Sequence, residues 1–134
     1  MRLAGFDPGE RRVGIAISVG NASFPLEVVE RIDGWLDRVR QLIDEYGVEK
    51  LVVGVPLSLD GGETESTRMA HRFIDELKGV FALPVEEVDE RFSSRGVERA
   101  LSAAGVSMRS QRGRVDDLAA ADILQRYLDR LENA

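Results

Sequence analysis

The stretch Arg2-Leu3-Ala4-Gly5-Phe6-Asp7-Pro8-Gly9-Glu10-Arg11-Arg12-Val13-Gly14-Ile15-Ala16-Ile17-Ser18 reads as a strand, a tight turn and a second strand. Arg2 to Asp7 and Arg12 to Ser18 carry the apolar and β-branched residues of strands, and Pro8-Gly9-Glu10 supplies turn chemistry between them. After Gly20-Asn21, Phe24 to Ile32 reads as a third strand. The chain therefore opens as an antiparallel meander.

Beyond residue 32 the hydrophobic period changes. Trp35, Leu36, Val39, Leu42, Ile43 and Tyr46 recur at helical spacing, with Asp33 a suitable N-cap and Gly47 a C-terminal stop. Leu51 to Val55 is a short, continuously apolar run between helices, the pattern of a strand covered on both faces. A loop through Asp60-Gly61-Gly62 leads into a helix with the stripe Met69, Ala70, Phe73, Ile74, Leu77 and Val80. Leu83 to Asp89 follows as a strand opened by Pro84. Ser93 or Ser94 can cap a third helix, with Val97, Ala100, Leu101 and Ala104 on one side and Gly105 at its end. The last helix spans about Val115 to Leu131 and buries Ala120, Ala121, Ile123, Leu124, Tyr127, Leu128 and Leu131. The expected fold is α/β: a mixed five-stranded sheet, made of a three-strand antiparallel meander and two parallel strands, with helices on both faces. One domain over residues 1–134 is expected from the length and the even composition.

Composition narrows the chemistry. The chain has no cysteine and one histidine, which excludes disulfides, thiolate catalysis and zinc-finger or multi-histidine metal sites. Catalysis must lean on carboxylates. No apolar run approaches the roughly 20 residues of a membrane helix, and the N-terminus begins with a strand instead of a signal peptide, so a cytoplasmic protein with no membrane partner is expected. A net charge of -6 argues against coating nucleic acid by charge alone. Local basic clusters exist nonetheless, at Arg11 and Arg12, at Arg91, Arg95 and Arg99, and at Arg109, Arg112 and Arg114. Each can equally be a solvated surface.

Three acidic positions stand out. Asp7 ends the first strand before Pro-Gly, held by a rigid element at a strand's carboxyl end, where sites form in open α/β sheets; it can also be an ordinary turn-initiating residue. Asp89-Glu90 ends the last strand likewise, and alternation puts Glu90 on the face of Val88 with Asp89 opposite. Asp116 lies four, seven and eleven residues before Ala120, Ile123 and Tyr127, which sets it on the core-facing side of the last helix; Asp117 is borderline and Asp122 is solvated. Helix-dipole stabilisation alone would also account for an acid at 116. Should Asp7, Glu90 and Asp116 converge, their repulsion calls for cations, and an all-oxygen donor set suits Mg²⁺ or Mn²⁺. Metal-assisted phosphodiester hydrolysis is the chemistry that such a cluster supports.

Taken together, Gly5-Phe6-Asp7-Pro8-Gly9-Glu10-Arg11-Arg12-Val13-Gly14-Ile15-Ala16, Val53-Gly54-Val55-Pro56-Leu57 with Asp60-Gly61, Asp89-Glu90-Arg91-Phe92-Ser93-Ser94, and Asp116 with Leu118-Ala119-Ala120 and Ile123-Leu124-Gln125 resemble the YqgF (RuvX) family over nearly the whole chain. The resemblance implies an RNase H-like fold related to the Holliday junction resolvase RuvC. It also implies a nuclease processing the 5′ end of precursor 16S ribosomal RNA, with Asp7, Glu90 and Asp116 as catalytic metal-binding carboxylates. The sequence departs from the resolvases at Val55-Pro56-Leu57, where those enzymes end the central strand on an acid. The choices between Asp89 and Glu90, and between Asp116 and Asp117, stay open; Glu90 and Asp116 are favoured.

Arg11, Arg12 and Arg91 adjoin the proposed acids and are suited to the nucleic-acid backbone, as is the Ser93 hydroxyl, although helix capping is the plainer role for Ser93. The helix after Gly62 offers Thr64, Ser66 and backbone N–H groups to a phosphate, or is simply a surface connection. His71 falls on a polar helix side, and Trp35 and Tyr46 belong to the core stripe. Expected partners are structured RNA (pre-16S rRNA) or branched DNA, and ribosomal precursor particles, with the chain a monomer or homodimer. Three alternatives differ in kind: a resolvase of branched DNA, a non-catalytic ribosome-assembly factor, and an actin-like ATPase fragment suggested by Asp7-Pro8-Gly9 with Gly14. The last normally needs two domains to clamp nucleotide.

Overall fold

A computed structural model describes residues 1–91 and 116–133 of the chain, with side chains in the last helix described from Leu118 onward. The elements are β1 (Leu3–Pro8), β2 (Arg12–Val19), β3 (Ala22–Glu30), α1 (Trp35–Tyr46), β4 (Lys50–Val55), α2 (Glu65–Val80), β5 (Val85–Asp89) and α3 (Asp116–Glu132). They build one five-stranded sheet in the order β3-β2-β1-β4-β5. β1 pairs antiparallel with β2, and β2 with β3; β4 runs parallel to both β1 and β5. This is the mixed sheet expected from the sequence, an RNase H-like arrangement with helices on both faces. The helix expected after Ser93 or Ser94, Ser93 itself and the basic segment Arg109–Arg114 lie outside the described residues.

Alternation along the strands sorts the core into two layers. Ala4, Phe6, Val13, Ile15, Leu51, Val53 and Val55 face α1 and α2, meeting Val39, Leu42, Phe73, Ile74 and Leu77. Leu3, Ala16, Val52 and Val88 point the other way, onto Ala120, Ile123, Leu124 and Tyr127 of α3. Gly5 lets α3 lie directly on β1, because a Cβ there would stand 2.7 Å from Leu124 Cβ and 3.1 Å from the Ala120 carbonyl oxygen. The direction of α3 is set by contacts near its other end. Lys50 Nζ, at the start of β4, donates to the Tyr127 hydroxyl at 3.0 Å, and Asn21 Nδ2 of the β2–β3 hairpin donates to Glu132 at 3.0 Å. The first turn of α3 therefore lies toward the carboxyl ends of β1 and β4.

Several boundaries differ from expectation. Asp33 does not cap α1: Gly34, at φ 87°, takes the N-cap position with no side-chain bond, since a left-handed residue turns the chain into the helix directly. β3 stops at Glu30 instead of Ile32 because its partner β2 begins at Arg12, opposite Glu30, and offers nothing further to pair with. Val80 and Leu131, assigned to buried stripes, are 39% and 50% exposed, as both sit in last turns that overhang the sheet. Gly47 does close α1, at φ 65°.

An ion pair docks α1 on β3: Arg38 donates to both Glu27 carboxylate oxygens, at 2.8 and 2.6 Å. The Arg38 hydrogen bond, against a smaller desolvation effect, holds the Glu27 carboxyl below its usual range. A carboxyl depressed on folding stabilises the native state above its unfolded value and loses that contribution as pH falls through the lower native value. The stability difference between the wild type and Arg38→Gln, measured by urea unfolding, should thus be present at pH 7 and vanish toward pH 3.

Candidate active site

Among the described residues, the buried polar or charged side chains are Asp7, Ser18, Thr67 and Glu90. The two hydroxyls have structural tasks, Ser18 accepting from the Leu3 N–H at 2.8 Å and Thr67 donating to the Pro56 carbonyl. The two carboxylates are 4% and 1% exposed, and both stand at carboxyl ends of parallel strands.

Asp7 shares the α3 face of β1 with Leu3 and Gly5, and pairs in register with Gly14 of β2. The turn behind it is clamped. The Gly9 N–H donates to the Arg12 carbonyl at 2.9 Å, and a Cβ on residue 9 would approach that oxygen to 2.8 Å, so the turn requires glycine. Arg31 Nη1 donates to the Gly9 carbonyl at 2.9 Å while its backbone N–H donates to Arg11 at 2.7 Å. The Arg31 guanidinium is in turn held by Glu76 at 2.6 Å and lies 4.9 Å from the Trp35 ring centroid and 5.5 Å from that of Phe73. Sequence reasoning passed over Arg31; its only signal is a basic residue just past a strand end.

Glu90 extends the β4–β5 pairing by one bond, its N–H donating to the Val55 carbonyl at 3.1 Å. Its carboxylate lies against Gly54: a Cβ there would fall 2.9 Å from both Cδ and Oε2 of Glu90 and would also collide with Ile123 Cδ1. Asp89 behaves differently. Its exposed carboxylate accepts from the Arg91 N–H at 2.8 Å and pairs with Arg91 Nη2 at 3.1 Å, and its carbonyl accepts from Arg126 at 3.3 Å. The alternation read from the sequence thus separates a buried Glu90, on the face of Val88, from a solvent-facing Asp89.

Asp7, Gly54 and Glu90 therefore share one face of three neighbouring strands, with the middle position bare of side chain. Gly54→Ala should push Glu90 and Ile123 aside, costing about 1–3 kcal/mol. Chemical denaturation of the purified variant measures this, and an unchanged midpoint would contradict the packing.

Asp116 opens α3. From Ala120, which sits over Gly5, it is one helical turn, about 6 Å, toward the carboxyl ends, and Asp7 is about 7 Å beyond Gly5 in that direction. Its backbone thus lies on the carboxyl-end side of Ala120, while its side chain and that of Asp117 lie outside the described residues. Arg11 and Arg12 are exposed on the β1–β2 turn at this same edge, and Arg91 follows Glu90. Thr64 caps α2 in a reciprocal capping box with Thr67, so its hydroxyl and N–H serve the helix start. His71 is half-exposed, 3.6 Å from Glu87, and Trp35 stacks on Phe73, in keeping with their expected roles.

Asp7 and Glu90 offer carboxylate oxygens on one face of the sheet edge, where a nearby positive charge favours their ionised forms. Carboxylate oxygens with no nitrogen or sulfur donor fit Mg²⁺ or Mn²⁺.

A family model described as RuvX, Holliday junction resolvase, matches residues 1–130. The chain is 42% identical to a Geobacillus kaustophilus protein named "Putative pre-16S rRNA nuclease", over 96% of this chain and 98% of that one. It is likewise 42% identical to a protein of the same name from Anaeromyxobacter sp. strain K, over 97% and 98% of the two chains. Among solved structures, Thermus thermophilus RuvC in complex with a Holliday junction substrate superposes with a TM-score of 0.58 at 15% identity, covering 98% of this chain and 96% of that one. Fowlpox virus resolvase with its junction DNA superposes at 0.55 and 14% identity, over 98% and 99%. At such identities the likeness is one of fold.

Proposed function

The chain belongs to the RuvX family, and from that premise we propose that it is a divalent-metal-dependent nuclease that hydrolyses phosphodiester bonds in the 5′-end processing of precursor 16S rRNA. The observation that carries this reading is the burial of Asp7 and Glu90 on one face at the carboxyl ends of β1 and β5. Buried carboxylates brought together at strand ends are the kind of group from which a charge-dependent site is built.

In this reading Asp7, Glu90 and Asp116 hold Mg²⁺ or Mn²⁺, Asp116 entering from the first turn of α3. The ion supplies water activation and neutralisation of phosphate charge when bound. The protein's own contribution is placement. The Arg31 clamp fixes the turn behind Asp7, and β4 pairing fixes Glu90. Arg11, Arg12 and Arg91 meet backbone phosphates on a chain whose net charge is -6, and Ser93 donates to a phosphate oxygen. The chain works as one domain over residues 1–134, in the cytoplasm; no described helix is long and apolar enough to cross a membrane.

Structured RNA is preferred to branched DNA as the substrate because the relatives at 42% identity are named for pre-16S rRNA, whereas the junction complexes support the fold alone. A junction resolvase also needs paired sites, hence a dimer. Incubation of the protein with a precursor 16S leader RNA and with a matched four-way junction, in Mn²⁺ or in EDTA, together with sedimentation, tests the reading. Metal-dependent cleavage of the RNA by a monomer or a dimer supports it; junction cleavage by a dimer alone favours the resolvase. Inertness toward both leaves a non-catalytic assembly factor.

A further inference from the structure

We propose that the β4–α2 loop, Ser58 to Gly62, is a positioning device that presents the Arg91 guanidinium to a backbone phosphate beside the carboxylates; this rests on the nuclease reading. The loop is tied to itself. The Ser58 N–H donates to the Gly62 carbonyl at 2.9 Å and the Gly61 N–H to the Ser58 carbonyl at 2.9 Å. The Gly62 N–H donates to both Ser58 Oγ and Asp60 Oδ1 at 2.9 Å, and the Ser58 hydroxyl bonds Asp60. Such bonds would close an ordinary surface turn. Here Arg91 leans on it.

A Cβ on Gly61 would stand 2.6 Å from Arg91 Nη1, and Gly61 has φ 92°, so the loop offers a bare backbone on which the guanidinium rests. Asp89 pairs with Nη2 at 3.1 Å. Asp60 completes the cradle: the Ser58 hydroxyl first, then the Gly62 N–H, with the Arg91 charge adding to them, hold its carboxyl below the ordinary range, so it stays ionised. The Arg91 side chain remains a quarter exposed, one residue from buried Glu90. An arginine fixed in advance loses less side-chain freedom on meeting a phosphate than one that is free to wander. Asp60 and Gly61 are thus positioning residues that act through Arg91.

The test is binding of a fluorescently labelled precursor leader RNA by anisotropy across a salt series, with Ca²⁺ replacing Mg²⁺ to suppress turnover. Wild type, Arg91→Gln, Gly61→Ala, Asp60→Asn and Gly61→Ala/Arg91→Gln are compared, each first checked for folding by circular dichroism. Arg91→Gln should weaken binding on the order of 5- to 10-fold at 0.1 M salt and lower the salt slope by about 1, the effect of one lost phosphate contact. Gly61→Ala, and more mildly Asp60→Asn, should reproduce that loss when Arg91 is present, and Gly61→Ala should add nothing in the Arg91→Gln background. Equal loss from Gly61→Ala in both backgrounds, or no loss in either, overturns the cradle. Failure of the nuclease reading shows separately, as a wild type that binds RNA but cleaves nothing in Mg²⁺ or Mn²⁺, while the binding cycle still decides the cradle. A wild type that binds no nucleic acid overturns both.

Discussion

Asp7→Asn should lower the rate of RNA hydrolysis by more than about 100-fold at saturating Mn²⁺, since altering even outer partners of a metal ligand commonly costs about 10- to 100-fold. The side chain is 4% exposed and its turn is closed by Gly9, Arg12 and Arg31, so the nearly isosteric amide is held in the same place with its charge removed. An amide is a weaker donor to a hard cation, and its NH₂ end repels one. Glu90→Gln should behave alike, whereas Asp89→Asn should retain most of the activity because the Asp89 carboxylate faces solvent and Arg91. Single-turnover cleavage with a Mn²⁺ titration distinguishes these cases. Should Asp7→Asn cleave as fast as the wild type, or Asp89→Asn fail where Glu90→Gln works, the carboxylate assignment is wrong.

Phe73→Ala should cost about 3–5 kcal/mol of stability. Phe73 is fully buried, with its ring centroid 5.8 Å from that of Phe6 and 5.6 Å from that of Trp35, so removal opens a space bounded by β1, α1 and α2 together. The damage should reach the site, because Arg31 rests beside Trp35 and Phe73 and its guanidinium holds the Gly9 carbonyl behind Asp7. Urea unfolding measures the first effect and cleavage well below the unfolding midpoint the second; Phe73→Leu should soften both. A loss under about 1 kcal/mol would mean that the layer repacks around the gap.

Much of this fold was legible because period-two and period-3.6 patterns report burial directly. The meander, the buried central strand and the α3 stripe all rest on alternation that a shift of one residue would turn outward. The same reasoning separated Glu90 from Asp89 correctly, since strand geometry fixes which face each neighbour takes. It failed at element ends. Asp33 has the chemistry of an N-cap, but the backbone turns at Gly34; Val80 and Leu131 continue their stripes beyond the reach of the sheet they would pack against. Local pattern carries no information about where a packing partner stops.

The sequence by itself determined the class of sheet, the two apolar layers, the family resemblance and the acids at strand ends, all properties of spacing within single elements. Only the tertiary structure decided that Gly54 leaves room for the Glu90 carboxylate, that Arg31 closes the turn behind Asp7, and that the Ser58–Gly62 loop carries Arg91. Each of these joins residues from different elements through contacts of a few ångströms. Such contacts depend on how strands and helices are set against one another, which no spacing along one chain segment encodes.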